Sequence, residues 1–116
     1  MKTVKYVPEA CKGENPQFSG DVEIVLPTFD EKYEYFEQSG LEVNDAGEIQ
    51  SANTLTKLKA MRNLVKMSQK HYKTVSLKKI SGEDIKSYDD MQYDSDCHPI
   101  MIDVATKLLN GFKLGN

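Results

Sequence analysis

Between Gly20 and Gly40 the chain reads GDVEIVLPTFDEKYEYFEQSG, and this stretch holds a strand, a stop, a capped helix and a second stop in consecutive order. Val22, Ile24 and Leu26 alternate with Glu23 and Val25, the pattern of a strand with at least one buried face. Pro27 has no N–H to donate and ends the ladder. Thr28 then takes the N-cap position with Glu31 three residues on, so each side chain satisfies a backbone N–H that the new helix leaves unpaired. A helix should therefore begin at Phe29. Along it Phe29, Tyr33 and Phe36 recur at i, i+4 and i+7, while Asp30, Glu31, Glu34 and Glu37 take the other side. Ser39 and Gly40 stop it, Gly40 being free to adopt a left-handed cap.

A chain of 116 residues has room for one domain that buries a core without metal or disulfide staples. Counted with Gly in place of Tyr, its apolar share is about 40 %, under the ~45–50 % of globular chains. The core is thus modest, which leaves apolar surface for a partner or a second copy to complete. Cys11 and Cys97 are far apart and lack metal-ligand spacing, as in a reduced cytosolic protein, although spacing does not forbid their pairing. The N-terminal MKTVKYVPEACKG has no apolar signal region and no apolar run is long enough to cross a membrane. The expectation is a soluble cytoplasmic protein without a membrane partner.

The net charge of −3 hides a division into blocks. Residues 1–52 carry four lysines and eleven acids, residues 53–80 eight basic residues and no acid, and residues 81–116 three lysines and seven acids. Such blocks either satisfy each other within the fold, the first expectation, or present separate faces to partners.

The basic block is chiefly a helix over about 52–72, capped by Ser51 or Asn53. Leu58, Met61, Leu64, Val65, Ser68 and Tyr72 fall on one side at helical spacing, and Lys59, Arg62, Lys66, Lys70 and Lys73 on another. A basic stripe of this kind follows a phosphate backbone in some proteins, but here no aromatic residues interleave with it and the chain is acidic overall. A solvated or partner-facing surface is the simpler expectation, and nucleic acid a subordinate one.

The remaining elements are shorter. Thr3 to Val7 reads as a strand and Pro8 to Pro16 as a linker, making a small N-terminal antiparallel β element over about 1–27. Leu41 to Gln50 reads as a hairpin or loop. Tyr72 to Ile80 alternates Val75, Leu77 and Ile80 with polar residues, an edge strand guarded by lysines. A short helix is expected over about 83–91, started by Ser81 or Asp84, with an acidic loop over Ser87 to Cys97. The last helix, 99–112, has Pro99 in its first turn and a wide apolar face of Ile100, Met101, Val104, Ala105, Leu108, Leu109 and Phe112. That face, like the Phe29, Tyr33, Phe36 stripe, belongs in a core or at an interface. The whole is an α+β chain, a mainly helical single domain over residues 1–116.

Catalytic chemistry is sparse. Asp94, Asp96, Cys97 and His98 are the one dense group of metal-ligating types, yet as sequence neighbours at a helix entrance they suit a cap better than an ion. Asp89, Asp90 and Asp94 lack the spacing and the glycine of a calcium loop. His71, near the end of the basic helix, reads as a dipole or surface residue. No GxSxG, phosphate-binding glycine loop or HExxH motif occurs, so neither enzyme activity nor a metal or cofactor is expected.

The strand-to-helix run VEIVLPTFDEK from Val22 to Lys32, a short N-terminal β element, a central charged helix and a closing apolar helix together resemble the tail assembly chaperones of long-tailed bacteriophages. The similarity is greatest over Asp21 to Phe36. It implies a small cytoplasmic protein of the bacterial host that binds the tape measure protein and keeps it soluble until tail-tube protein assembles around it. Phe29, Tyr33, Phe36, Met101, Leu108 and Phe112 are then the apolar candidates for client or self-association contacts, with Lys59, Arg62, Lys66 and Lys70 as charged ones. Two other readings compete: an inhibitor or adaptor that blocks a host complex through its charged faces, and a nucleic-acid-binding module using the basic helix.

Overall fold

The computed structural model describes residues 2–39, 45–46 and 54–112. Apart from Asp45 and Ala46, which form a turn, the expected hairpin or loop over 41–50 lies outside them, as do the Gly40 stop and the Ser51 or Asn53 cap. Strands β1 (Thr3–Tyr6), β2 (Phe18–Val25), β3 (Tyr72–Lys79) and β4 (Asp84–Ile85) form an antiparallel sheet in the order β1-β2-β3-β4. Helices α1 (Phe29–Ser39), α2 (Thr54–Ser68), α3 (Tyr88–Gln92) and α4 (His98–Asn110) hold more residues than the strands do. The fold class is α+β with helices dominant.

The sheet extends beyond an N-terminal element, because β3 pairs with β2 from Phe18↔Lys79 to Ile24↔Tyr72 and with β4 at Leu77↔Ile85 and Lys78↔Asp84. The segment expected at the edge is therefore interior. Its lysines did not mark an edge: Lys73 and Lys78 are exposed, whereas Lys79 follows Val75 and Leu77 on the covered side and is only 15 % exposed. At Gly20, φ is +110° and an added Cβ would lie 2.0 Å from the Ser76 carbonyl oxygen, so the two strands approach there as only glycine permits.

Helix α4 is shared by two clusters. Ile100, Met101, Val104 and Leu108 pack with Val22, Ile24, Val75 and Leu77 of the sheet, while Ala105 and Leu109 join Tyr35 and Leu64. Six buried apolar side chains, at roughly 1.5–3 kcal/mol for each large one, make α4 the chief apolar contributor to the fold. Asp103 ties the N-terminus to it. Its carboxylate accepts the Tyr6 hydroxyl at 2.7 and 2.9 Å and the Glu9 backbone N–H at 2.9 Å. Burial first, and then the Asp103 contact, push the Tyr6 phenol well above its ordinary pKa.

Several local expectations are corrected. The basic helix ends at Ser68, passes into a 3-10 turn over Gln69–His71, and gives way to β3 at Tyr72. Ser87, not Ser81 or Asp84, starts the short helix, its hydroxyl accepting the Asp90 N–H at 3.0 Å. The acidic segment expected as a loop contains α3 and a 3-10 turn, Ser95–Cys97, capped by Asp94. Among the described residues no helix is long and apolar enough to cross a membrane.

Candidate partner-binding groove

Helix α2 buries Leu64 and Ser68 of the side its spacing marks, but is turned so that Ala60 joins them and Leu58 does not. Ala60, Leu64 and Ser68 are buried, at i, i+4 and i+8, while Leu58 is 64 % exposed. Small side chains at 60 and 68 let neighbouring elements close in, and Ser68 satisfies its hydroxyl by donating to the Val65 carbonyl at 2.6 Å. The displaced apolar side chains line a groove of about 350 Å³ between α2, α3 and α4, with Leu58, Met61, Val65, Tyr88, Met101 and Ile102 on its walls. Arg62 and Lys66 of α2 and His98 at the start of α4 edge it.

The groove is stiffened from beneath. The Tyr88 hydroxyl donates to the Val65 carbonyl at 3.3 Å, its ring lies 5.0 Å from that of Tyr72, and His98 Nε2 sits 2.9 Å from the Gln92 carbonyl. Its rim is cationic: Arg62 and Lys66 are exposed, as is Lys59 nearby on α2, and none has an ion pair among the described residues. An apolar floor under exposed cations suits a helix with an apolar stripe flanked by acids.

The other candidate residues divide between surface and core. Phe29 and Tyr33 are 74 % and 58 % exposed, with ring centroids 4.8 Å apart on the outer side of α1. Phe36 is half-buried against the Tyr35 cluster. Met101 and Leu108 are buried in the core, Met101 also reaching the groove wall, and Phe112 packs edge-on to Tyr6 with centroids 5.2 Å apart. Leu108 and Phe112 thus serve the fold here rather than a partner surface. Lys70 leaves the basic stripe: it meets Glu31 at 3.3 Å and stands 5.5 Å from the Tyr35 ring.

The buried residue of α1 is Tyr35, which periodicity passed over, and its partner is His71, a core residue and not a surface one. His71 is 2 % exposed; its Nδ1 faces the Val25 carbonyl at 2.7 Å and so carries a proton, while Nε2 accepts the Tyr35 hydroxyl. Glu31 lies 3.9 Å from Nε2 and completes the Thr28 capping box, the Thr28 N–H reaching its carboxylate at 3.0 Å and its own N–H reaching the Thr28 hydroxyl at 3.2 Å. The backbone bond from Thr28, before the Lys70 contact, holds the Glu31 carboxyl below its ordinary pKa. A histidine and a carboxylate therefore meet in a shallow recess beside Lys70. Both imidazole nitrogens, however, are engaged inward.

The Asp94, Asp96, Cys97, His98 group is likewise accounted for. Lys79 Nζ is clasped by Asp94 at 2.6 Å, Asp96 at 3.1 Å and Glu83 at 3.6 Å, and Cys97 is buried. Among the described residues no group of three or more metal-ligating side chains is placed to hold an ion. No protein-family model, curated protein or solved structure matches this chain.

Proposed function

We propose that this chain is a non-enzymatic binding protein that takes an amphipathic helix of its partner into the groove between α2, α3 and α4. The observation that carries the reading is the combination of exposed Leu58 and Ile102 over an apolar floor with the rim cations Arg62 and Lys66, which have no ion pair among the described residues. Helix-in-groove recognition uses anchors at i, i+3, i+4 and i+7, and acids beside them would meet the rim. The absence of reaction chemistry from the proposal is supported by the engagement of His71 with Tyr35 and Val25 and of Asp94 and Asp96 with Lys79.

The resemblance to tail assembly chaperones gives this activity a setting. The client would be the tape measure protein, whose long apolar helices need cover in the bacterial cytoplasm until tail-tube protein surrounds them. Co-expression with a tape measure protein tests it: the client's soluble fraction should rise with the wild-type chain and fall back with Leu58→Asp. Leu58 is exposed, so that substitution leaves the core intact. An insoluble client with the wild-type chain, or full rescue by Leu58→Asp, would overturn the proposal.

One observation favours a second reading, nucleic-acid binding, namely the three cations Lys59, Arg62 and Lys66 on one exposed side of α2, without an ion pair among the described residues. Binding by this route would weaken steeply with added salt. No binding at low salt removes it.

A further inference from the structure

We infer that the same groove receives helix α1 of a second copy, so that the protein associates head to tail. Helix α1 has two working sides. Tyr35 points inward to His71, while Phe29 and Tyr33 form an exposed aromatic ridge on its first two turns. Aromatic side chains of this size bury ~150–250 Å² each when covered, and two adjacent ones so exposed are an unsatisfied apolar surface.

The charges around ridge and groove are opposite. Asp30, Glu34 and Glu37 are exposed beside the ridge and form no ion pair among the described residues, Glu34 merely accepting a hydrogen bond from Gln38 at 2.7 Å. Lys59, Arg62 and Lys66 are exposed beside the groove and equally unpaired. A ridge with an acidic border thus matches a groove with a basic border in shape and sign.

One copy cannot satisfy itself. Its α1 already lies along the Asn63 and Leu64 side of α2, with Asn63 donating to the Gln38 carbonyl at 3.3 Å and Leu64 packed on Tyr35. The groove opens on the side of Leu58, Arg62 and Val65, well round the same helix at ~100° per residue. A two-fold pairing of ridge with ridge, or groove with groove, would oppose like charges. Ridge into groove brings unlike charges together, and repeated head to tail it is a heterologous contact in which each added copy presents a fresh ridge and a fresh groove. The association itself is independent of the client reading. It rests on that reading only in making the second copy and the client helix competitors for one groove.

Sedimentation velocity of the full chain across a micromolar concentration series tests the inference, using two variants with exposed substitutions whose folding is checked by circular dichroism. Phe29→Ser/Tyr33→Ser removes the ridge and keeps the groove; Leu58→Asp/Arg62→Glu removes the groove and keeps the ridge. The wild type should pass beyond a dimer as concentration rises, and each variant alone should weaken association by at least ~10-fold. Mixed, the two variants should restore a complex that stops at one copy of each. A wild type that stays monomeric, a discrete dimer indifferent to both variants, or variants that do not complement would overturn the inference. Binding of a fluorescent acidic amphipathic helical peptide to the ridge-less variant reports separately on the client reading. A peptide that binds a chain which never self-associates sinks this inference alone, and self-association without peptide binding sinks only the client reading.

Discussion

Replacing Tyr35 by Phe removes one oxygen from a buried contact and leaves the ring to pack as before against Leu64, Ala105 and Leu109. What changes is His71. Its Nδ1–H still reaches the Val25 carbonyl, but Nε2 loses the Tyr35 hydroxyl, and the Glu31 carboxylate 3.9 Å away is itself an acceptor that offers no proton. At 2 % exposure the ring is withdrawn from bulk solvent. Leaving a buried acceptor unmade costs ~1–3 kcal/mol, and burial raises the Tyr35 pKa, which keeps the phenol a donor in the wild type. For a domain of this size about 2 kcal/mol corresponds to a fall in Tm of roughly 6–12 °C. Thermal unfolding followed by circular dichroism reads it, with Tyr33→Phe as the control, since that exposed hydroxyl should be worth under ~0.5 kcal/mol. Equal Tm values for Tyr35→Phe and Tyr33→Phe would refute the reasoning.

Three further outcomes are expected. Gly20→Ala should cost ~3 kcal/mol or more, because its Cβ meets the Ser76 backbone, whereas Gly82→Ala, at φ +98° with nothing within 4 Å, should lose only ~1–2 kcal/mol; urea midpoints compare them. Stability should decline as pH falls below about 4.5 and continue to decline further down. Glu31 and Asp94 have ordinary values of 4.5 and 3.8 that the fold lowers, Glu31 through the Thr28 backbone bond and Asp94 through Lys79, so their stabilisation is present above those values and is lost on protonation. A flat denaturation midpoint across that range would count against both contacts. In native protein at pH 8, iodoacetamide should label Cys11 and spare Cys97, whose thiol is fully buried and pushed up to about 11 chiefly by that burial; mass mapping with both sites labelled equally would contradict it.

What the sequence announced was the chemistry that acts over a few residues. Thr28 and Glu31 need only each other to cap α1, and Val22 and Ile24 need only alternation to share a face. The apolar face of α4 is so continuous that no other orientation would bury it. Helix α1 was harder to read, because aromatics at 29, 33, 35 and 36 surround much of its circumference, and periodicity favours the three that recur over the one that is buried. On α2 Leu64 and Ser68 stood on the side that spacing marks, but the small Ala60, which a search for large apolar residues overlooks, joins them inside while Leu58 stays out. The acids near Cys97 were legible as a cluster but not as a clasp, since Lys79 is brought to Asp94 and Asp96 only by β3. The groove was half legible: Leu58, Met61, Val65, Arg62 and Lys66 follow from the spacing along α2, but Tyr88 and Ile102 join them only after α3 and α4 have docked.

The inward contact of α1 and its outward ridge have a common cause. Tyr33 and Tyr35 are two positions apart, so at ~100° per residue they point to nearly opposite sides of the helix, and either could have been the buried tyrosine by apolar content alone. Burying Tyr33 would leave both its hydroxyl and His71 Nε2 to find other partners. Burying Tyr35 closes the contact from α1 to His71, and through Nδ1 to the last residue of β2. Glu31, one turn earlier on the same side, adds its contacts to Thr28 and Lys70. The polar contacts of the inner face therefore choose the rotation of α1, and that rotation is what presents Phe29 and Tyr33, with Glu34 and Glu37 beside them, to whatever meets the helix from outside.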